Sequence, residues 1–272
     1  MSPSAGGEGL CPDEFVAFAE ALADAVRPIA LRHFRSGLAI DSKDDASPVT
    51  IADRDAETAM RALIEDAYPE HGILGEEHGR VRTDAELVWV LDPIDGTQSF
   101  VTGKPLFGTL IALARAGRPI LGVMDMPALG ERFVGVAGRK TTFDGETAAA
   151  RPCAGLADAW LYATSPQMFP PGDFEAFEGL RQQCRRTIYG AECYAYGLLA
   201  AGHVDLVVES TMQPYDYAAL VPIVEGAGGT ITDWTGSPLT LKSDGRVLAA
   251  GDAGLHTLAG RALVGDGAFT TG

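Results

Sequence analysis

The string Asp92-Pro93-Ile94-Asp95-Gly96-Thr97, at the end of the apolar run Leu-Val-Trp-Val-Leu, restricts this chain more than any other feature. Two acids three residues apart, with a proline between them that sets φ and a glycine after them that permits a sharp turn, direct both carboxylates to one side of a strand end. A simple turn needs neither two acids nor the threonine. The fold must bring like charges to the rim of a core, where they either face water or are neutralised.

Two other segments offer acids in comparable settings. Glu76 follows the short apolar run Ile-Leu-Gly, and Asp216 stands in Gln-Pro-Tyr-Asp-Tyr just ahead of an apolar helix. Taken singly, the first also reads as a solvated loop and the second as a helix cap. Taken with Asp92 and Asp95, they form an all-oxygen donor set that suits magnesium better than a His/Cys site would. Gly96 and Thr97 lead into a run where a short helix can start, so their N–H groups are candidate phosphate contacts. Divalent cations beside a bound phosphate are what hydrolysis of a phosphate monoester requires, because the dianion repels an oxygen nucleophile.

Composition narrows the alternatives. The 272 residues carry a formal net charge of −16, which argues against nucleic acid as a partner, since phosphate backbones are held by clustered Lys and Arg. The four cysteines form no CxxC pair and read as reduced thiols. No apolar run approaches the ~18 residues of a membrane span and no export signal opens the chain, so the expectation is a cytoplasmic protein without membrane contact.

Hydrophobic periodicity predicts helices over 13–34, kinked at Pro28, and over 53–67, with a polar stretch between them. Strands follow at Ile-Leu-Gly and Leu-Val-Trp-Val-Leu. Residues 106–138 read as an antiparallel meander, with a further tight turn at Asp144-Gly145. The second half alternates strand and helix: helices over 173–186, 193–202 and 217–226, and strands at 160–164, 187–189, 204–209, 230–234 and 247–251, before a last helix. The division falls near residue 150, giving an α+β half over 1–150 that carries most of the acids and a layered α/β half over 151–272 that carries Asp216.

On Gly-Glu-Glu at 75–77, Asp-Pro-Ile-Asp-Gly-Thr at 92–97, and Asp216 followed by Ala-Ala-Leu and Glu-Gly-Ala-Gly-Gly at 225–229, the chain resembles the inositol monophosphatase superfamily, in order and spacing from about residue 13 to 263. The resemblance implies a layered αβαβα sandwich, a homodimer and lithium sensitivity. It further implies two or three Mg2+ ions held by Glu76, Asp92, the Ile94 carbonyl, Asp95 and Asp216. Asp53 matches the family acid that works with the threonine, here Thr97, on the attacking water, and Glu76 belongs to the same catalytic group. Lys43 falls where the family often carries a lysine near the site, and reads equally as a solvated loop residue.

Within that superfamily, the strings around 92–113, 130–139 and 189–210 look like histidinol-phosphatases of the inositol-monophosphatase type, and Tyr215-Asp216 replaces the Trp-Asp of typical inositol enzymes. An inositol or sugar-phosphate phosphatase is the alternative, and a non-catalytic interaction protein a more distant one. Histidinol phosphate presents an ammonium and an imidazole, so acids beside the metals should select it. Glu209, at the end of one strand, and Glu192, ahead of the helix over 193–202, are the candidates, although Glu192 also reads as a charge favouring a helix N-terminus. Ser165 has no His partner in sequence to make it a nucleophile and is placed with the substrate contacts.

Overall fold

The computed structural model describes residues 11–36, 41–42, 48–49 and 51–270. In the first half α1 (Asp13–His33) is followed by the two-residue strands β1 (Asp41–Ser42) and β2 (Pro48–Val49), then α2 (Ile51–Ala67), β3 (Gly72–Gly75), β4 (Gly79–Val81) and β5 (Leu87–Asp95). The five-residue α3 (Thr97–Val101) leads to β6 (Gly108–Arg115), β7 (Arg118–Met126), β8 (Glu131–Val136), β9 (Thr142–Phe143) and β10 (Glu146–Thr147). In the second half come β11 (Trp160–Ala163), α4 (Pro171–Arg181), β12 (Arg186–Tyr189), α5 (Tyr194–Ala200), β13 (Leu206–Glu209), α6 (Pro214–Tyr217), α7 (Leu220–Gly226), β14 (Thr230–Thr232), β15 (Val247–Ala250) and α8 (Ala253–Val264).

Strands β3 to β10 build one eight-stranded sheet in the order β10-β9-β8-β7-β6-β5-β3-β4, antiparallel except where β3 lies parallel to β5. The meander expected over 106–138 is β6-β7-β8. At Asp144-Gly145 both residues take positive φ, the backbone that a two-residue hairpin between β9 and β10 requires. A second, five-stranded sheet has the order β12-β11-β13-β15-β14.

Period-two patterning explains the layers. Trp89, Leu91, Ile111 and Leu113 face one way and pack under α1 and α2, against Leu22, Val26, Met60 and Ile64. Their neighbours Val88, Val90, Leu110 and Ala112 face the other way, onto Tyr196 and Leu199 of α5 and Ile223 and Val224 of α7. Val207, Val247 and Ala249 close that central layer from the five-stranded sheet, whose opposite face, with Leu161, Leu206 and Leu248, packs on Phe177 of α4 and Leu255 and Ala259 of α8. The result is the five-layer αβαβα sandwich, with one core shared by both sheets.

Several boundaries differ from the periodicity. Helix α1 contains Pro28 and ends at His33, one residue short of the expected span. Helix α4 starts at Pro171 and stops at Arg181, because Arg186 is already the first residue of a parallel strand paired to Trp160. The helix expected over 217–226 is two pieces, α6 and α7, with Asp216 inside the first.

The central layer approaches the large sheet closely. A Cβ on Gly122 of β7 would lie 1.9 Å from the Ala219 carbonyl oxygen, and one on Gly135 of β8 would lie 2.3 Å from the Ile223 nitrogen. Backbone on both sides leaves nothing flexible to yield. Gly122→Ala is expected to lower stability in urea unfolding by about 2 kcal/mol or more. An unchanged midpoint would show that the layers can separate freely.

Candidate active site

Strand β5 carries two acids into one place by breaking its own register. Pairing with β6 is regular up to Asp92 opposite Leu110, then shifts before Asp95 opposite Gly108. Pro93 at this irregularity cannot donate to the ladder, and its carbonyl instead accepts the Thr109 hydroxyl at 2.8 Å. Ile94 is fully buried among Phe100, Phe107 and Ala52, which anchors the segment between the two acids. Gly96 then turns left-handed, at φ 81°, into α3. The Thr97 hydroxyl donates to the Ile94 carbonyl at 3.3 Å.

Oxygens of Asp92, Asp95 and Asp216 lie within 4.8 Å of one another. Glu76 follows β3, its N–H bonding the Leu91 carbonyl at 3.3 Å, so its backbone runs beside the end of β5. Burial, then repulsion from Glu76, Asp95, Asp216 and Asp53, pushes the Asp92 carboxyl well above the usual carboxylate range. Burial raises Asp95 to about 6 against hydrogen bonding from Cys193, whose N–H donates to Oδ2 at 2.8 Å. Asp216 is raised by burial against the Gln213 N–H, which donates to its Oδ2 at 2.6 Å. The cap role and the cluster role of Asp216 therefore coexist. Asp53 is buried in the first turn of α2, and its charge reaches Asp92.

One atom tests whether a metal fits. Asp92 Oδ1 is buried with no hydrogen-bond donor among the described residues, on a carboxylate where the others converge. A buried oxygen without a donor is costly, and surrounding anions make it costlier still. A hard divalent cation held by oxygens supplies the missing partner, and the donor set contains no thiolate or imidazole that would favour another metal.

The acids named for substrate occupy distinct positions. Glu192 takes a left-handed backbone at φ 53°, and its carboxylate accepts from the Ser99 hydroxyl of α3 and sits 3.4 Å from Lys104 Nζ. Its Cγ packs where a Cβ on Gly96 would be, at 2.6 Å, and its charge acts on Asp95. It does not cap α5, which begins two residues later and has no side-chain cap. Glu209 is 2% exposed, with Oε1 accepting from the Thr164 N–H and hydroxyl and Oε2 from the Tyr196 hydroxyl; burial raises it to about 7. The Ser165 hydroxyl is engaged locally with Gln167, capping the turn at Pro166–Met168. Lys43 lies outside the described residues. Periodicity did not single out Ser99, Lys104, Thr164, Tyr196 or Cys193, whose partners are distant in sequence; the positive φ of Glu192 has no signal in the sequence either.

The model for the inositol monophosphatase family matches residues 12–265. The chain belongs to that family. Members are phosphatases acting on phosphate monoesters and depend in general on magnesium. The chain is 51% identical over 253 residues to the bifunctional phosphatase IMPL2, chloroplastic, of Arabidopsis thaliana, covering 90% of this chain and 73% of that one. It is 34% identical over 240 residues to a histidinol-phosphatase of Chlorobaculum parvum, covering 88% and 93%. Among solved structures, an inositol monophosphatase from Zymomonas mobilis superposes with a TM-score of 0.86 at 49% identity, covering 92% of this chain and 98% of that one. No described helix is long and apolar enough to cross a membrane.

In an inositol monophosphatase family protein the turn at Gly96 should tolerate no side chain, because an added Cβ would meet Glu192 and the backbone is left-handed there. Gly96→Ala is expected to cost phosphate-release activity about ten-fold or more while circular dichroism shows the fold retained. Wild-type rates would mean that the turn accepts a side chain at residue 96 without displacing the site.

Proposed function

We propose that this chain hydrolyses histidinol phosphate to histidinol and phosphate, with magnesium held by Glu76, Asp92, the Ile94 carbonyl, Asp95 and Asp216. Bound there, the metal supplies positive charge for the phosphate and the departing oxygen and makes water a stronger acid. Gly96 and Thr97 would receive phosphate oxygens through their N–H groups at the turn into α3. Asp53 and Thr97 would orient the attacking water for in-line approach to phosphorus. Its proton would pass by the Thr97 hydroxyl to the Asp53 carboxylate as the P–O bond to the alcohol breaks, and the departing alkoxide would take a proton from water to leave as histidinol.

The observation that carries the substrate assignment is Glu192. Its stem packs against Gly96, its carboxylate is held by Ser99 and Lys104, and its charge acts on Asp95 of the acidic cluster, from a backbone conformation that costs energy for a residue with a side chain. A carboxylate at that place suits a substrate with an ammonium near its phosphate ester, and an ion pair in a partly dehydrated cleft discriminates more than a hydroxyl contact. Glu209, closed in by Thr164 and Tyr196, would shape the wall behind it. The likeness to the histidinol-phosphatase of C. parvum supports this reading. The Z. mobilis structure favours inositol 1-phosphate as a second substrate.

Phosphate release from histidinol phosphate is expected to require magnesium and to exceed release from inositol 1-phosphate. Glu192→Ala should lower kcat/KM on histidinol phosphate about thirty-fold, the equivalent of roughly 2 kcal/mol, and leave inositol 1-phosphate nearly unaffected. A variant whose two rates fall in the same proportion would remove Glu192 from substrate selection.

A further inference from the structure

Helix α2 does more than present Asp53. One turn further along the same face, Glu57 is fully buried, an unusual place for a glutamate. Its two carboxylate oxygens are spent on the loop that carries Glu76. Oε2 accepts the Glu77 N–H at 2.6 Å, and Oε1 accepts the His78 N–H at 3.1 Å together with Arg61 Nε at 2.6 Å. Arg61, one more turn along, also reaches past the carboxylate to the Gly79 carbonyl. Two smaller contacts reinforce the grip: His78 Nε2 lies 3.0 Å from the Thr58 hydroxyl, and Arg54 Nε lies 3.8 Å from a Glu77 carboxylate oxygen.

Room for this arrangement is made by a glycine. A Cβ on Gly75 would fall 2.0 Å from Glu57 Oε1 and 2.8 Å from Arg61 Nη2, so any other residue at the end of β3 would expel the carboxylate. The backbone amides flanking Glu76 are thus fixed on both sides. Its own N–H is tied to Leu91 in β5, and the next two are tied to Glu57.

We propose that Glu57, braced by Arg61, is a positioning residue that sets the Glu76 carboxylate at the correct distance from Asp92 for metal binding. Because Asp53 and Glu57 are four apart on one helix face, α2 couples the placement of the acid that handles the water to the placement of a metal ligand. A carboxylate bonded to two main-chain N–H groups and a guanidinium is a strong, directional anchor. Outer residues that orient metal ligands act chiefly on metal affinity, so that is where its loss should register. The inference rests on the reading of Glu76 as a magnesium ligand.

The test compares Glu57→Gln with wild type in three measurements. Gln keeps the shape but can accept fewer hydrogen bonds and carries no charge for Arg61. Calorimetric titration with magnesium alone is expected to show binding weakened about ten-fold or more. Hydrogen exchange at the amides of Glu77 and His78 should accelerate in the metal-free protein. At saturating magnesium, kcat on a phosphate monoester should stay within about three-fold of wild type, because the ligands themselves remain. Arg61→Met, which leaves Glu57 in place, should give a smaller weakening, and serves if Glu57→Gln fails to fold. Met60→Ala, on the core face of the same helix, is the control for simple destabilisation and should leave magnesium affinity unchanged. Unaltered affinity in both clamp variants, or an equal loss in Met60→Ala, would overturn the proposal. Wild-type protein that neither binds magnesium nor releases phosphate would instead overturn the phosphatase reading, and the positioning role with it.

Discussion

Repulsion among carboxylates that converge on Asp92 is the constraint around which the rest of this molecule is arranged. Left alone, acids whose oxygens lie within 4.8 Å would separate or take up protons, and one Asp92 oxygen has no donor among the described residues. They stay together because four separate rigid elements carry them: Asp92 and Asp95 on β5 across its irregularity, Glu76 at the end of β3, Asp216 on α6 and Asp53 on α2. The five layers and their shared core oppose a repulsion that no local segment could resist. A cation converts that opposition into binding energy, since the folded chain has already brought its ligands together.

The same economy extends to the rim of the site. Glu192 holds a left-handed backbone, and its carboxylate is steadied by Ser99 and Lys104, while Lys104 also donates to the Gly190 carbonyl. These contacts tie the loop before α5 to the helix that follows Thr97, so a residue from the second half is set against the turn of the first. On the other side Glu57 and Arg61 tie α2 to the loop of Glu76. The site is therefore held by buried or half-buried charged contacts on two flanks, with the sheet end between them.

Much of this was legible in the chain. Asp-Pro-Ile-Asp-Gly-Thr after an apolar strand carries its geometry in local chemistry: a fixed φ, a missing donor and a glycine turn. The strand–helix rhythm after residue 150 marked the layered second half, while the full five-layer order was implied by the family resemblance. What stayed hidden depends on pairs far apart in sequence. Glu57 and Arg61, four apart on a polar helix face, look like an ordinary solvent pair until the loop at 77–79 folds onto them. Ser99 and Lys104 have no visible role until Glu192 arrives beside them. Helix ends at Arg181 and around Ala218 were set by strand pairing and by the seating of Asp216, which override periodicity.

The central claim is that the fold opposes charge repulsion in order to bind a cation, and thermal unfolding of wild type and Asp92→Asn, each with and without magnesium, tests it most directly. Wild type should gain about 5 °C or more in Tm when magnesium is in hundred-fold excess over its dissociation constant. Asp92→Asn should melt higher than wild type without metal, because a buried repulsion is gone, and should lose most of the gain that magnesium brings. An Asn variant that is less stable than wild type without metal, or that is stabilised by magnesium to the same extent, would contradict the account.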